Sequence, residues 1–332
     1  MGPLAVSLGD PAGVGPELLA TAWAARAVHS LPPFMAVGGA GLIAKAAAQR
    51  GLTVPIVRIS DPAEALGAFA TALPVWGDDD APYRPGAPDR EGAVLALASL
   101  TAAARLAAEG KAAAVVTGPI AKSRLAEVGF VHPGQTEFVA AACGVAAEDA
   151  VMMLAGPSLR TVPLTVHVAL AAVTGLITQD LIERRARIVA RWLARDFGIV
   201  RPRIAVAALN PHAGEDGKFG DEDRRIVAPA IAVLRAEGID AQGPHSADAL
   251  FAPHNRETFD VALCMYHDQA LIPIKALDFD AGVNVTLGLP IVRTSPDHGT
   301  AFGIAGKALA HPGATIAAIR MAGECAARRA NG

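Results

Sequence analysis

The chain of 332 residues is poor in aromatic side chains (5%) and in charged ones (18%), and it has only three cysteines. Cys143, Cys264 and Cys325 are odd in number, far apart and outside any Cys-x-x-Cys spacing. A disulfide framework and a cysteine-rich zinc site are therefore excluded, and buried thiols are expected. No sign of charge dominates: the formal charge is −3, and the basic residues are scattered rather than clustered. That pattern gives no electrostatic footprint for nucleic acid. Long apolar runs are missing too. The most apolar segments, such as Ala112–Thr117 and Ile204–Leu209, have the length of strands, and no window of about 20 residues lacks charge or Pro/Gly punctuation. The first ten residues carry neither a basic segment nor an apolar stretch of signal-peptide length, so a cytoplasmic protein is expected.

What is present is apolar and small. Hydrophobic residues make up 52% of the chain, carried mainly by Ala, Val, Leu and Ile, with 33 Gly and 24 Pro. This length suffices for two cores, and the composition is that of a compact α/β protein with many turns. Short β-type runs alternate with helical patterns: Leu4–Leu8 then Glu17–Ala27, Phe34–Val37 then Leu42–Arg50, and Ala112–Thr117 after Ala93–Glu109. Further along come Arg160–Val166, Gln179–Phe197, Ile204–Ala208, Arg224–Glu237, Val261–Met265 and Ile316–Ala327. Such alternation predicts a layered α/β/α fold. Thr178 stands as N-cap before an acidic first turn, and Gly198 as the stop of the same helix. Segment Trp76–Arg90, with its run Asp78-Asp79-Asp80, reads as a solvated loop.

Two glycine-containing segments imitate nucleotide motifs. Gly39-Ala40-Gly41-Leu42-Ile43-Ala44 follows a strand, opens a helix and is trailed by Asp61, as in a dinucleotide fingerprint. A strand-to-helix turn needs small residues anyway, so a structural turn is expected. Gly118-Pro119-Ile120-Ala121-Lys122-Ser123 ends like a phosphate loop but lacks the glycine before Lys122, and Pro119 removes an N–H donor.

Three histidines, His167, His212 and His267, stand in polar or Gly-rich sequence directly after β-type runs. Strand C-termini face the ligand crevice of an open α/β sheet, and three neutral imidazoles suit a Lewis-acidic divalent ion. Spacing alone leaves structural histidines as the alternative, since His29, His132, His245, His254, His298 and His311 are also present. The last third adds Lys275, Asn284, Thr286, Arg293, Thr294, Ser295, Asp297 and His298 between glycines, a set that suits a phosphate or carboxylate but also a solvated loop. Gly118, Gln135, Thr136 and Glu137 form another polar group, able to meet an anion at a helix N-terminus.

Several long motifs in order then carry a resemblance over essentially the whole chain. They are Gly9-Asp10-Pro11-Ala12-Gly13-Val14-Gly15-Pro16-Glu17, Leu209-Asn210-Pro211-His212-Ala213-Gly214-Glu215, Met265-Tyr266-His267-Asp268-Gln269 and Gly282-Val283-Asn284-Val285-Thr286-Leu287-Gly288-Leu289-Pro290. With these the chain resembles the 4-hydroxythreonine-4-phosphate dehydrogenases. The resemblance implies an isocitrate/isopropylmalate dehydrogenase-like fold, α/β in three layers, with two interleaved domains and a cleft between them. It also implies a domain of residues 1–125 plus 285–332 on the NAD side, and a central domain, 126–284, for dimerisation, metal and substrate.

By the same resemblance, His167 and His212 of one subunit and His267 of its partner hold one divalent ion (Zn, Mg or Co) in a homodimer. Gln135, Thr136, Lys275, Asn284 and Arg293 match substrate positions, and His298, Gly299, Thr300, Ala301 and Ile304 fall in a loop for NAD or NADP. Lys275 is the expected group for proton transfer or carboxylate contact, with Asp248 as a second catalytic candidate that positions substrate. The implied reaction is oxidation of 4-phosphooxy-L-threonine at C3, followed by decarboxylation to 3-amino-2-oxopropyl phosphate, in pyridoxal 5'-phosphate biosynthesis. Relatives of the same fold imply a phosphorylated sugar acid or a dihydrodiol carboxylate as alternative substrates. A metal-dependent hydrolase or aldolase, or a metabolite-binding protein, would use the same residues differently. One position departs from the family pattern: Gln135 stands where the family has histidine before Thr136, and an amide cannot carry charge or move a proton near neutral pH.

Overall fold

The computed structural model describes residues 1–331. Twelve strands run along the chain as β1 (Leu4–Ser7), β2 (Phe34–Val37), β3 (Ile56–Ile59), β4 (Leu73–Trp76), β5 (Ala114–Thr117) and β6 (Val151–Ala155), then β7 (Arg160–Thr165), β8 (Ile204–Ala207), β9 (Ala241–His245), β10 (Val261–Tyr266), β11 (Val283–Leu287) and β12 (Arg293–Pro296). They divide between two compact units, Met1–Ala150 with Leu289–Asn331, and Val151–Gly288.

In the first unit the strand order is β3-β4-β2-β1-β5-β12, and every pairing is parallel. Strands β1, β2 and β5 are short, apolar and buried throughout, as parallel strands covered on both faces must be. Helix Arg90–Ala108 lies across them and starts where the Asp89 carboxylate accepts from the Gly92 N–H at 2.8 Å. Its buried Ser99 accepts from the Leu8 N–H at 3.0 Å and donates to the Val37 carbonyl at 2.7 Å, so one hydroxyl ties the helix to the ends of β1 and β2. Among the described residues this is the one helix long and apolar enough to cross a membrane; half of its apolar window is buried in the unit.

In the second unit the order is β11-β6-β7-β10-β8-β9. Strands β11, β6 and β7 pair antiparallel, while β7, β10, β8 and β9 pair parallel. Helix Gln179–Phe197 begins with the Thr178 hydroxyl accepting from the Leu181 N–H at 3.2 Å and stops at Gly198 with φ +70°, the cap and stop read from sequence.

The unit boundaries, at Ala150/Val151 and Gly288/Leu289, differ from the expected 125/126 and 284/285. Packing explains the first difference. Helices Lys122–Ala126 and Gln135–Ala142 contact helix Arg90–Ala108, and Val139, Ala140 and Ala150 belong to the first unit's core.

The acidic run of the Trp76–Arg90 segment has a structural task. Asp80 accepts from the Gly41 N–H at 2.7 Å and the Leu42 N–H at 3.2 Å, capping helix Ala40–Gln49. The carboxylate thereby takes the place that a pyrophosphate occupies in a dinucleotide fingerprint. The trailing Asp61 instead caps a short turn of its own, accepting from the Ala63 N–H. In the second imitation the Pro119 carbonyl is spent on the Asp10 N–H, at 2.8 Å.

Candidate active site

The second unit gathers imidazoles at the C-terminal ends of three adjacent parallel strands. His167 follows β7, His267 follows β10 directly and opens helix His267–Asp278, and His212 follows β8. Because β7, β10 and β8 are neighbours, their ends share one edge of the sheet. The His167 and His267 rings stand 5.8 Å apart, centroid to centroid. They line a pocket of ≈ 280 Å³ with Thr165, Val168, Tyr266 and Asp268. His212 is not in that ring pair; its ring lies against Phe219.

Two side chains staple these strand ends. The Thr165 hydroxyl donates to the Met265 carbonyl at 2.8 Å, joining β7 to β10. Gln269 accepts from the Met265 N–H at 2.7 Å and donates to the Ala208 carbonyl at 2.8 Å, joining β10 to the segment that leads to His212.

The backbone around His212 is unusual. His212, Ala213, Gly214, Glu215 and Asp216 all have positive φ, from 40° to 81°, a short left-handed turn. Each non-glycine residue in that conformation costs roughly 1–2 kcal/mol. The turn is held from beneath by Asp223, 1% exposed, which accepts from the N–H groups of Leu209 (2.7 Å) and Asn210 (3.0 Å) and from the Asn210 side chain (3.1 Å). His167 also has positive φ, 52°. Backbone strain at two of the candidate ligands is the pattern of a functional site.

The donor set fits a divalent ion. Neutral imidazoles suit zinc or a similar cation, and the His267 Nδ1 lies 2.7 Å from the Asp268 carboxylate, which leaves Nε2 as the ligand atom and supplies the outer carboxylate usual in such sites. Among the described residues, no three His, Cys, Asp or Glu side chains of one chain come together as a ligand group.

The first unit holds a different cluster. Arg293 opens β12, is 3% exposed, and donates through one NH2 to the Thr117 hydroxyl (2.7 Å) and to the Gln135 carboxamide oxygen (2.9 Å). Thr117 in turn donates to the same Gln135 oxygen at 2.9 Å, and the Gln135 amide donates to the Gly118 carbonyl at 2.8 Å. Gln135 is the first residue of helix Gln135–Ala142, with Thr136 beside it in the same turn. Burial lowers the Arg293 guanidinium to about 10, with the nearby Glu137 acting in the opposite direction. A cation held this way at a helix N-terminus suits a phosphate. Gln135, expected to meet the anion, thus also orients Arg293 through its carboxamide oxygen.

The loop expected to take a dinucleotide also lies in the first unit. The Thr300 carbonyl accepts from the Val14 N–H at 3.0 Å, and the Ile304 N–H donates to Ala301, whose φ is 48°. His298 Nδ1 lies 3.0 Å from the Gly299 carbonyl, and its Nε2 is buried without a hydrogen-bond partner.

The remaining candidates belong to the second unit. Asn284 lies on β11 with its side-chain oxygen buried and unpartnered. Lys275 is half-buried on the helix that His267 opens, eight residues on and therefore about 12 Å along the axis. Asp248 is exposed, and the Ser246 hydroxyl, with His212 as a smaller influence, holds its carboxyl below the usual carboxylate range. Its expected role, positioning substrate, therefore stands beside His212. Thr165, Asp223 and Gln269 are site residues that spacing does not reveal. Gln269 ends the Met265–Gln269 motif, but its bond to Ala208 spans 61 residues of sequence.

Known proteins match this chain over nearly all its length. A 4-hydroxythreonine-4-phosphate dehydrogenase from Erythrobacter litoralis is 65% identical over 329 residues, 99% of this chain and 98% of that one. The crystal structure of a 4-hydroxythreonine-4-phosphate dehydrogenase from Klebsiella pneumoniae superposes with a TM-score of 0.87 at 38% identity, covering 98% of each chain. A beta-decarboxylating dehydrogenase from Thermococcus kodakarensis shares the fold, with a TM-score of 0.50 at 19% identity over 97% of this chain and 82% of that one. The family description "Pyridoxal phosphate biosynthetic protein PdxA" matches residues 30–322, and with these relatives it establishes that the chain belongs to the PdxA family.

Proposed function

We propose that the protein oxidises 4-phosphooxy-L-threonine at C3, with NAD or NADP as acceptor. The product, 2-amino-3-oxo-4-phosphonooxybutanoate, loses carbon dioxide to give 3-amino-2-oxopropyl phosphate, in pyridoxal 5'-phosphate synthesis. The observation that carries this reading is Arg293: a buried guanidinium, fixed by Thr117 and Gln135, in a chain 65% identical to a 4-hydroxythreonine-4-phosphate dehydrogenase.

Arg293 and Thr136 hold the phosphate, with Asn284 and Lys275 as further polar contacts. His167, His212 and His267 are the residues that would hold a divalent ion, Zn, Mg or Co. A bound cation supplies Lewis acidity to the C3 alcohol, and the nicotinamide supplies the hydride acceptor. C3 gives up a hydride and its hydroxyl gives up a proton, for which Lys275 is the assigned acceptor. The ketone then accepts the electron pair of the C–C bond that breaks as carbon dioxide leaves, and the resulting enolate takes up a proton at carbon to give 3-amino-2-oxopropyl phosphate. Asp248, near His212, is assigned to positioning the substrate.

Exposed apolar side chains near His267 support a homodimer. Ile272 and Leu277, on the helix that His267 opens, are 65% and 42% exposed, and Phe279 just beyond is 72% exposed. A second copy of the chain would cover them.

One assay tests the reaction: substrate, NAD and a divalent metal, followed by NADH absorbance. Metal-dependent NADH formation, abolished by chelator, supports the proposal. Metal-dependent turnover without NADH would place the chain among hydrolases or aldolases, and chelator-insensitive binding without turnover would make it a binding protein.

A further inference from the structure

We propose that Glu17 is a positioning residue for the dinucleotide, its buried carboxylate acting through Arg50 to hold the 297–310 loop in its binding shape. The inference rests on reading His298–Ile304 as the cofactor loop.

The loop cannot hold this shape alone. It runs from β12 towards helix Gly313–Asn331 as turns without strand or helix, and Ala301, Gly306 and Ala308 have φ of 48°, 71° and 57°. For the two alanines this conformation is unfavourable, so contacts from outside must enforce it. Those contacts come from helices Gly15–Ala24 and Ala40–Gln49 and the residues beside them. Gln49 donates to the Gly306 carbonyl at 2.8 Å, and Arg50 donates through NH2 to the Ala310 carbonyl at 2.7 Å. Val14 and Leu18 pack against Ala305 and Ala310. Gly306 is pressed so closely that a Cβ there would meet Pro85 at 2.7 Å.

Glu17 lies beneath this arrangement. It is 1% exposed, and its Oε2 is 3.6 Å from Arg50 NH1, on the same guanidinium whose NH2 grips Ala310. Its Oε1 has no hydrogen-bond partner, and the polar groups that face the carboxylate are Arg50 first and then, on the loop itself, the Gly306 amide. Burial pushes the Glu17 carboxyl up, while Arg50 and the Gly306 amide favour its ionised form. The Tyr83 phenol, chiefly through burial and then through Glu17, is pushed up to about 12, which places it in the same enclosure. A buried ion pair contributes little net stability against apolar side chains of the same volume; its best-attested use is to fix one arrangement among several. Here the arrangement is the orientation of Arg50, and through it the seat of Ala310 and the left-handed turns before it.

The test uses the full-length protein with Glu17→Gln, Arg50→Met, Gln49→Ala and, as a probe of the loop itself, His298→Ala. Two measurements need no turnover: amide hydrogen exchange of residues 297–310 without ligand, and calorimetric binding of NAD to the substrate-free protein. Glu17→Gln is expected to speed exchange in the loop at least about 10-fold while β1 and β5 keep their protection. NAD binding weakens about 5- to 20-fold, and KM for NAD rises in step with kcat held within about 2-fold. Arg50→Met reproduces this, and the double variant adds little to either alone. Should Glu17→Gln fail to fold, Gln49→Ala, which changes an exposed side chain, carries the same expectation at smaller size. Unchanged exchange and unchanged NAD affinity in Glu17→Gln overturn the proposal. If His298→Ala weakens NAD binding and Glu17→Gln does not, the loop reading stands and Glu17 has no positioning role. If neither variant weakens binding, the loop reading fails and the proposal falls with it.

Discussion

Arg293 donates to the Oε1 of Gln135 at 2.9 Å, so the amide at this position has a fixed, buried partner. The carboxamide accepts from the guanidinium on one side and donates to the Gly118 carbonyl on the other, and neither bond depends on pH near neutrality. Gln135→Ala leaves the buried guanidinium less anchored. Substrate KM should rise about 10-fold, as expected for loss of a hydrogen bond to a charged group. Gln135→His should give KM that climbs below about pH 6.5, as an imidazolium forms beside Arg293. Steady-state kinetics between pH 5.5 and 8 on both variants checks this; identical pH profiles for wild type and Gln135→His would assign position 135 a purely structural role.

Arg293 itself sets a pH dependence of stability. Its folded-state value, about 10, lies below the ordinary value of 12.5 because burial disfavours the cation. The folded state therefore binds fewer protons than the unfolded state between these values. The cost of burying the charge is fully present below about pH 10 and is relieved as pH rises towards 12.5. Arg293→Met removes this contribution: wild type should gain stability relative to the variant over that alkaline range, measured by urea unfolding. Phosphate should raise the unfolding temperature of wild type only.

Asp223 supports the left-handed turn of His212 by accepting three N–H groups. Asp223→Ala leaves those donors unsatisfied and should destabilise the protein by about 2–4 kcal/mol. Metal affinity should fall at least about 10-fold, a loss that zinc titration against a competing chelator would register. His212→Ala should abolish metal-dependent turnover while leaving circular dichroism and unfolding temperature near wild type.

Asp80 caps helix Ala40–Gln49 with its carboxylate. Asp80→Ala should lower stability by about 1 kcal/mol and leave NAD affinity unchanged. A large loss of NAD affinity would instead return the Gly39–Ala44 turn to consideration as a cofactor site.

Much of this protein is legible from sequence, for identifiable reasons. Helix Gln179–Phe197 can be read residue for residue because its start and stop are local: a hydroxyl cap at Thr178 and a glycine in the left-handed region at Gly198. Strand β2 is equally plain, being apolar, short and buried throughout. Strand β9, Ala-Gln-Gly-Pro-His, carries almost no β signal and exists because β8 offers it an edge. Strand β12, Arg-Thr-Ser-Pro, looks like loop sequence, yet all four residues are buried beside β5. The three histidines stand out because each follows an apolar run. Thr165, Asp223 and Gln269 do not, since each acts through partners that only folding brings near.

The Thr165 and Gln269 staples join the ends of β7, β10 and β8 with protein atoms alone. The strand ends that carry the imidazoles are thus held in register by hydrogen bonds that need no cation. Binding a metal then requires little further ordering of backbone, so affinity draws less on conformational entropy than it does in small domains that fold only around their zinc. A chelator should accordingly take activity from this protein and leave it folded, and a metal returned later should find its ligands on strands already in place.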